Sequence, residues 1–197
     1  MPFRLPFTRR GAPAAREPGR SATVPPEVRR AVEGPSGEKV LAAARDVETG
    51  VWLVAGATHL SLVDPGAVAE SGELAVTWSR PWHTVDTGSW QRESSRLTVT
   101  WADGSRPGQW GLGEEALFLQ VLRERVQASV VLTEELRLTG RRTGRAVVRQ
   151  DLATGELLEQ VVLGRSTRED AETRAAADEA LARLREQVGM PPGGAGR

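Results

Sequence analysis

Two histidines, His59 and His83, are the whole imidazole inventory of a 197-residue chain that contains no cysteine. A nucleophilic or general-base site would need one of them beside a serine or a carboxylate at a recognised spacing, and neither has that neighbour. His59 falls on the wetter side of an alternating run, THLSLVD, and His83 follows Trp82 at a strand start, so both read as structural or exposed. The absence of cysteine removes disulfides, thiolate catalysis and cysteine-ligated zinc or iron–sulfur centres. No H-x-x-x-H, H-E-x-x-H or acidic calcium loop occurs, so no metal and no cofactor are expected. Gly108-x-x-Gly111-x-Gly113 has neither the order of a Walker loop nor that of a dinucleotide loop, and reads as a strand end passing into a helix. The expected chemistry is recognition rather than catalysis.

Recognition narrows to aromatic and cationic side chains. Trp52, Trp78 and Trp101 lie in phase with aliphatic neighbours and are expected in the core. Trp82, Trp90 and Trp110 lie near turns or polar neighbours and are the candidate partner-binding residues, with half-buried packing as their alternative. Arg137, Arg141, Arg142, Arg145 and Arg149 fall in a stretch, 136–150, without an acidic residue. They are the candidate anion-binding set, for a nucleic-acid backbone or an acidic partner, against solvated hairpin charge. The order helix, three strands, helix over 114–188 is similar to a double-stranded-RNA-binding domain. Its second helix, however, opens Arg168-Glu169-Asp170-Ala171-Glu172, where acidic groups repel phosphate. At the N-terminus Phe3, Leu5 and Phe7 stand beside Arg4, Arg9 and Arg10, a pattern suited to weak contact with an anionic membrane surface or with the chain's own acidic region.

The elements that must position these residues follow from periodicity. With 39% apolar and 26% charged residues the composition is that of an ordinary folded chain, and no run reaches the ~18 apolar residues of a membrane span. The N-terminus lacks the continuous apolar core of a signal peptide, so a cytoplasmic location is the default. Residues 1–30 carry seven Arg against two Glu, whereas 31–128 carry eight basic and thirteen acidic residues. Seven of the twelve prolines lie in 1–36, whose only helical hint is Pro26 to Val32. KVLAAARDV (39–47), VWLVAG (51–56), THLSLVD (58–64), LAVTW (74–78), RLTVTW (96–101) and Gln109 to Leu112 read as strands, with another after His83. A helix from Glu114 to about Ala128 presents Leu117, Phe118, Val121, Leu122 and Val126, with Glu114 and Glu115 in its first turn. Beyond it come strands over 129–140, 144–152 and 156–163, and a helix from about Arg168 to Val188 with Ala177, Leu181, Leu184 and Val188 as its seam.

The progression THLSLVD, RPWHTVDTGSW, RLTVTWADGSRPGQWGL, EEALFLQVLRERV resembles the bacterial pleckstrin-homology-like (PH-like) fold. Pro81-Trp82-His83-Thr84-Val85, the Asp103-Gly104 turn and the closing helix carry the likeness over about 36–128. From about Gly34 onward the chain also resembles uncharacterised actinobacterial proteins of that type. The resemblance implies a fold that hosts many binding roles. Its phosphoinositide-binding members have a basic first hairpin loop, whereas Arg45-Asp46-Val47-Glu48-Thr49-Gly50 holds one basic and two acidic residues.

The expected object is therefore an α+β chain: a disordered basic, proline-rich arm (1–36), a PH-like seven-stranded antiparallel barrel or sandwich capped by one helix (37–128), a βββα extension packed on it (129–188) and a disordered tail (189–197). Its expected role is that of a non-catalytic cytoplasmic adaptor acting through protein–protein contacts, its partner and oligomeric state open. The alternative is nucleic-acid or anionic-membrane association through the arm and the Arg137–Arg149 hairpin.

Overall fold

The near-continuous apolar runs at 40–44 and 52–56 suit strands buried on both faces, and that is where they sit. The computed structural model describes residues 24–70, 72–113 and 115–191, the side chains of 35 and 36 excepted. Strands β1 (Val40–Arg45), β2 (Trp52–Gly56), β3 (His59–Val68) and β4 (Leu74–Pro81) form one antiparallel sheet in sequence order. Its outer face, Val40, Ala43, Val54 and Val63, is covered by Val28, Ala31 and Val32 of helix α1 (Pro26–Ser36). Its inner face, Ala42, Ala44, Leu53, Ala55 and Leu60, joins the main core.

Helix α1 corrects the expected arm, whose boundary at 36 falls at the helix end. The hint at Pro26 to Val32 extends into a helix of 11 residues, because proline is tolerated in a first helical turn. Gly37 closes the helix in the left-handed conformation at φ +66°, its N–H donating to the Glu33 carbonyl. Residues 1–23, with the anchors Phe3, Leu5 and Phe7 and the arginines Arg4, Arg9 and Arg10, lie outside the described residues.

Strand β4 ends at Pro81, which has no N–H to carry the ladder further. One turn of 3-10 helix, Trp82–Thr84, leads into a second antiparallel sheet of β5 (Val85–Gln91), β6 (Arg96–Trp101) and β7 (Gly108–Gly111). Leu97, Val99 and Trp101 point inward, between Arg96, Thr98 and Thr100. Gly88 leaves room for helix α2 (Ala116–Ala128): a Cβ there would stand 2.9 Å from Leu122 Cδ2. Glu115 occupies the N-cap position of α2, and Glu114 lies outside the described residues. Phe118, Val121, Leu122 and Val126 complete the core, whereas Leu117 is exposed. Among the described residues the two sheets are joined by one isolated bridge, between Asp46 and Leu112, where the Asp46 carboxylate accepts from the Gly111 N–H at 2.7 Å and the Thr49 N–H at 3.0 Å. The seven strands are present, as two separate sheets rather than a closed barrel.

The remaining strands, β8 (Val130–Glu135), β9 (Gly144–Gln150) and β10 (Leu157–Leu163), form a third antiparallel sheet with β9 central. One face packs Leu136, Ala146 and Val148 against Ala177, Ala180 and Leu184 of helix α3 (Ala171–Val188). Asp170 caps α3, accepting from the Thr173 N–H, and Gly189 ends it at φ +69°. Met190 still packs on this core, so the chain is structured one residue past the expected start of the tail; 192–197 lie outside the described residues. The described chain is thus α+β, with three α-helices and ten strands in three antiparallel sheets. None of its described helices is long and apolar enough to cross a membrane.

Candidate functional site: the seam between the sheets

The face of the third sheet turned away from α3 carries Arg145, Val147 and Arg149 on β9, in register with Val162, Gln160 and Leu158 on β10. Alternation along β9 forces this: Ala146 and Val148 face α3, so the two arginines face the first seven strands. Their partner there is Asp86 on β5. Arg145 pairs with its carboxylate, Arg149 Nη2 stands 3.8 Å from the same oxygen, and the Thr100 hydroxyl donates to the other at 3.3 Å. Arg149 is 1% exposed. Its Nη1 donates to Ser129 Oγ at 3.0 Å, and Ser129 passes its own hydrogen to the Val126 carbonyl at 2.8 Å, at the end of α2. Burial pulls the Arg149 pKa down to about 10, with Asp86 opposing the shift and Arg145 adding to it. The guanidinium therefore stays charged at neutral pH, locked between two units.

Along the same seam the Gln160 amide donates to the His83 carbonyl at 2.9 Å. His83 Nδ1 lies 3.7 Å from Asp151 Oδ2, and burial lowers its pKa, with the Asp151 carboxylate pulling the other way. His59 sits elsewhere, on the β2–β3 turn. Its Nδ1 is 2.8 Å from Thr58 Oγ1 and 3.4 Å from Glu38 Oε2, and that buried carboxylate also accepts the Thr58 N–H at 2.7 Å. Glu38 thereby holds a turn. Among the described residues, no three histidine or acidic side chains converge as a metal site.

Above the ion pairs the seam opens into a groove. Its larger part, about 780 Å³, is walled by Asp86, Thr100, Trp101 and the turn at Asp103-Gly104 on one side. Arg145, the 161–165 segment and Glu169 form the other wall. A further 390 Å³ pocket lined by Arg80, Thr84 and Gln160 shares Ala102, Asp103 and Val161 with it, so the two are continuous. Trp101 forms part of an aromatic cluster: Trp78 meets it edge-on at 5.6 Å, and Trp110 lies 6.3 Å from Trp78. Arg80 stacks over the Trp101 ring at 4.2 Å and reaches Asp103 at 3.7 Å, a favourable cation–π placement.

Of the three candidate partner-binding tryptophans, Trp82 is withdrawn from the surface. Trp82 is fully buried, its indole N–H donating to the Gly56 carbonyl at 3.1 Å. Its polar neighbours misled, because a 3-10 turn sends Trp82 inward while leaving His83 and Thr84 at the seam. Trp90 and Trp110 flank Leu97 in register and pack half-buried on the main core. Of the three tryptophans expected inside, Trp101 is buried while Trp52 and Trp78 are half-buried. The five arginines likewise do not share one surface. Arg145 and Arg149 turn into the seam, and Arg142 bonds Asp170 at 2.8 Å and also pairs with Glu172. The first-turn acids of α3 answer the hairpin's charge, and hydrogen bonds from Arg142 hold the Glu172 carboxyl below its ordinary range. Arg137 and Arg141 alone of the five are exposed. Sequence reading missed Asp86, whose only signal was an acid opposite no visible base. No family model, no curated protein and no solved structure matches this chain.

Proposed function

We propose that the chain is a non-catalytic, cytoplasmic PH-like binding module that acts through protein contacts, its seam groove receiving a segment of another protein. The observation that carries this reading is the groove itself. It is an open trough between two units, its base formed by the largely buried Trp101 with Arg80 stacked on it and its walls carrying charges of both signs. Interfaces favour such a composition, aromatic at the centre and polar at the rim. The order of four strands, three strands and one helix packed on both sheets agrees with the PH-like resemblance of residues 36–128. The Asp86–Arg145–Arg149 network would serve as the fixed hinge line that keeps the two walls in register.

Site-directed cross-linking tests it. The chain has no cysteine, so a photoreactive probe can be placed uniquely at Ser105→Cys on the groove wall, with Ser94→Cys at the opposite end of β6 as control. A protein adduct specific to position 105 and lost with Asp103→Lys is expected. Equal labelling from both positions, or turnover of a substrate by the purified chain, overturns the reading.

A further inference from the structure

Folded chains defend the unpaired backbone at a sheet edge with bulges, prolines or short strands. Three sheets give six described edge strands, and five of them are defended in this way. The ladder slips by one residue at Leu41 of β1, Thr77 of β4, Asp86 of β5 and Val131 of β8, and β7 has only four residues. Strand β10 is the exception. It keeps seven residues in unbroken register with β9, has no proline, and carries one charge, Glu159, which Arg185 of α3 holds at 2.6 Å.

The ends of the β9–β10 ladder fix where its free groups point. The Gly164 N–H donates to the Thr143 carbonyl and the Asp151 N–H to the Glu156 carbonyl, each at 2.8 Å. Hydrogen-bonded pairs alternate along an antiparallel ladder, so Leu158, Gln160 and Val162 turn their backbone to β9, while Leu157, Glu159, Val161 and Leu163 turn theirs outward. Among the described residues these outward groups bond nothing. A cavity flanks them on either face. On the seam side the 390 Å³ pocket runs from Gln160 and Val161 to Arg80 and Asp103. On the other, a 450 Å³ pocket lies between Val161 and Leu163 and the Thr173 and Ala177 side of α3.

The charges around the two cavities answer one another: Arg80 with Asp103 at 3.7 Å, Arg174 with Glu169 at 3.5 Å, and Asp178 with the field of Arg185. Arg165, just past the strand, and Glu135, across the groove, offset each other in sign. Charge complementarity therefore calls for an uncharged occupant. We infer that β10 takes up an uncharged, extended segment of another protein as an added antiparallel strand, with apolar side chains at every second position. Residues bonded to Glu159, Val161 and Leu163 share their face of the sheet, so those side chains enter the pocket against Val161, Leu163 and Ala177. Main-chain bonds supply the hold and the alternate pockets the selectivity. The inference deepens the binding role proposed above and rests on it, naming the strand that grips the segment.

A capped heptapeptide of alternating threonine and valine, threonine at both ends, is the probe, titrated to about millimolar into the isotope-labelled full chain. The expected result is saturable movement of the Leu157, Glu159, Val161 and Leu163 amide signals, with Ala75 and Ser79 on the edge of β4 unmoved. In the antiparallel pairing the valine nitrogens bond β10 and the threonine nitrogens face away. Methylating the valine nitrogens should abolish binding, and methylating the threonine nitrogens should leave it intact. Val161→Pro removes an N–H that β9 does not use, so the ladder persists and the affinity should fall about tenfold or more. Unmoved β10 amides, binding that survives methylation of the valines, or equal loss with both methylated peptides overturns the inference. So do shifts at the same amides that grow with protein concentration without peptide, which would give the edge to a second copy. A position-105 adduct beside unmoved β10 amides would sink the inference and spare the binding role; β10 shifts without any adduct would do the reverse.

Discussion

Asp86 is the residue on which the most charge depends. Its 11% exposed side chain faces Arg145 and Arg149, and Arg149 is hidden from solvent. Removing one member of a buried pair strands the other, so Asp86→Ala should cost about 3–5 kcal/mol in urea unfolding. A loss within the range of an exposed pair, under about 1 kcal/mol, would show that the network is well hydrated. His83 gives a second residue-scale expectation. Burial lowers its folded pKa below the ordinary 6.5, so the unfolded chain takes up a proton first as pH falls. Stability from this site is present above about 6.5 and declines as pH drops through the folded value. Between pH 7 and 5 the unfolding free energy of His83→Gln should therefore fall less steeply than that of the parent; parallel profiles would remove His83 from the account.

At the level of elements, glycine at 88 decides how near α2 comes to the second sheet. Gly88→Ala places a methyl 2.9 Å from Leu122 Cδ2 and should destabilise by about 1–3 kcal/mol, as overpacking does. Combining it with Leu122→Ala, itself costly, should give less than the sum of the two, and simple additivity would refute the contact. Strands such as 96–101 and the amphipathic stripe of α2 were legible because burial repeats at their own period. Helix α1 was legible only as a hint at Pro26 to Val32, since three apolar residues at 28, 31 and 32 do not show what they cover until a sheet stands beside them. The seam was illegible for a related reason. Arg145 and Asp86 are 59 residues apart, and no local pattern in either strand announces the other. Trp82 shows the same limit, its burial set by one turn of 3-10 helix after Pro81.

Across the whole molecule, the two units have distinct apolar cores and meet through ion pairs, an amide and a serine, with Leu152 of the second unit packing on the core of the first. All six tryptophans lie between 52 and 110, so indole fluorescence reports the first unit alone while far-ultraviolet dichroism reports both. In the parent chain the two signals should unfold together; in Asp86→Ala the dichroism transition should begin at lower urea than the fluorescence transition. Coincidence in both would mean that apolar contacts elsewhere couple the units. The clasp between the first two sheets bears on time rather than strength. Asp46 and Gly111 are 65 residues apart in sequence, so closing their loop costs entropy before any contact rewards it. A contact of that range is expected to form after the hairpins on either side of it. Asp46→Asn should hasten unfolding and leave the refolding rate nearly unchanged, a split visible in the two limbs of a chevron. The Asp46 carboxylate would then slow escape from the native fold at the corner where its sheets touch, beside the Val47 N–H to Gly111 carbonyl bond and the Arg96–Glu48 pair.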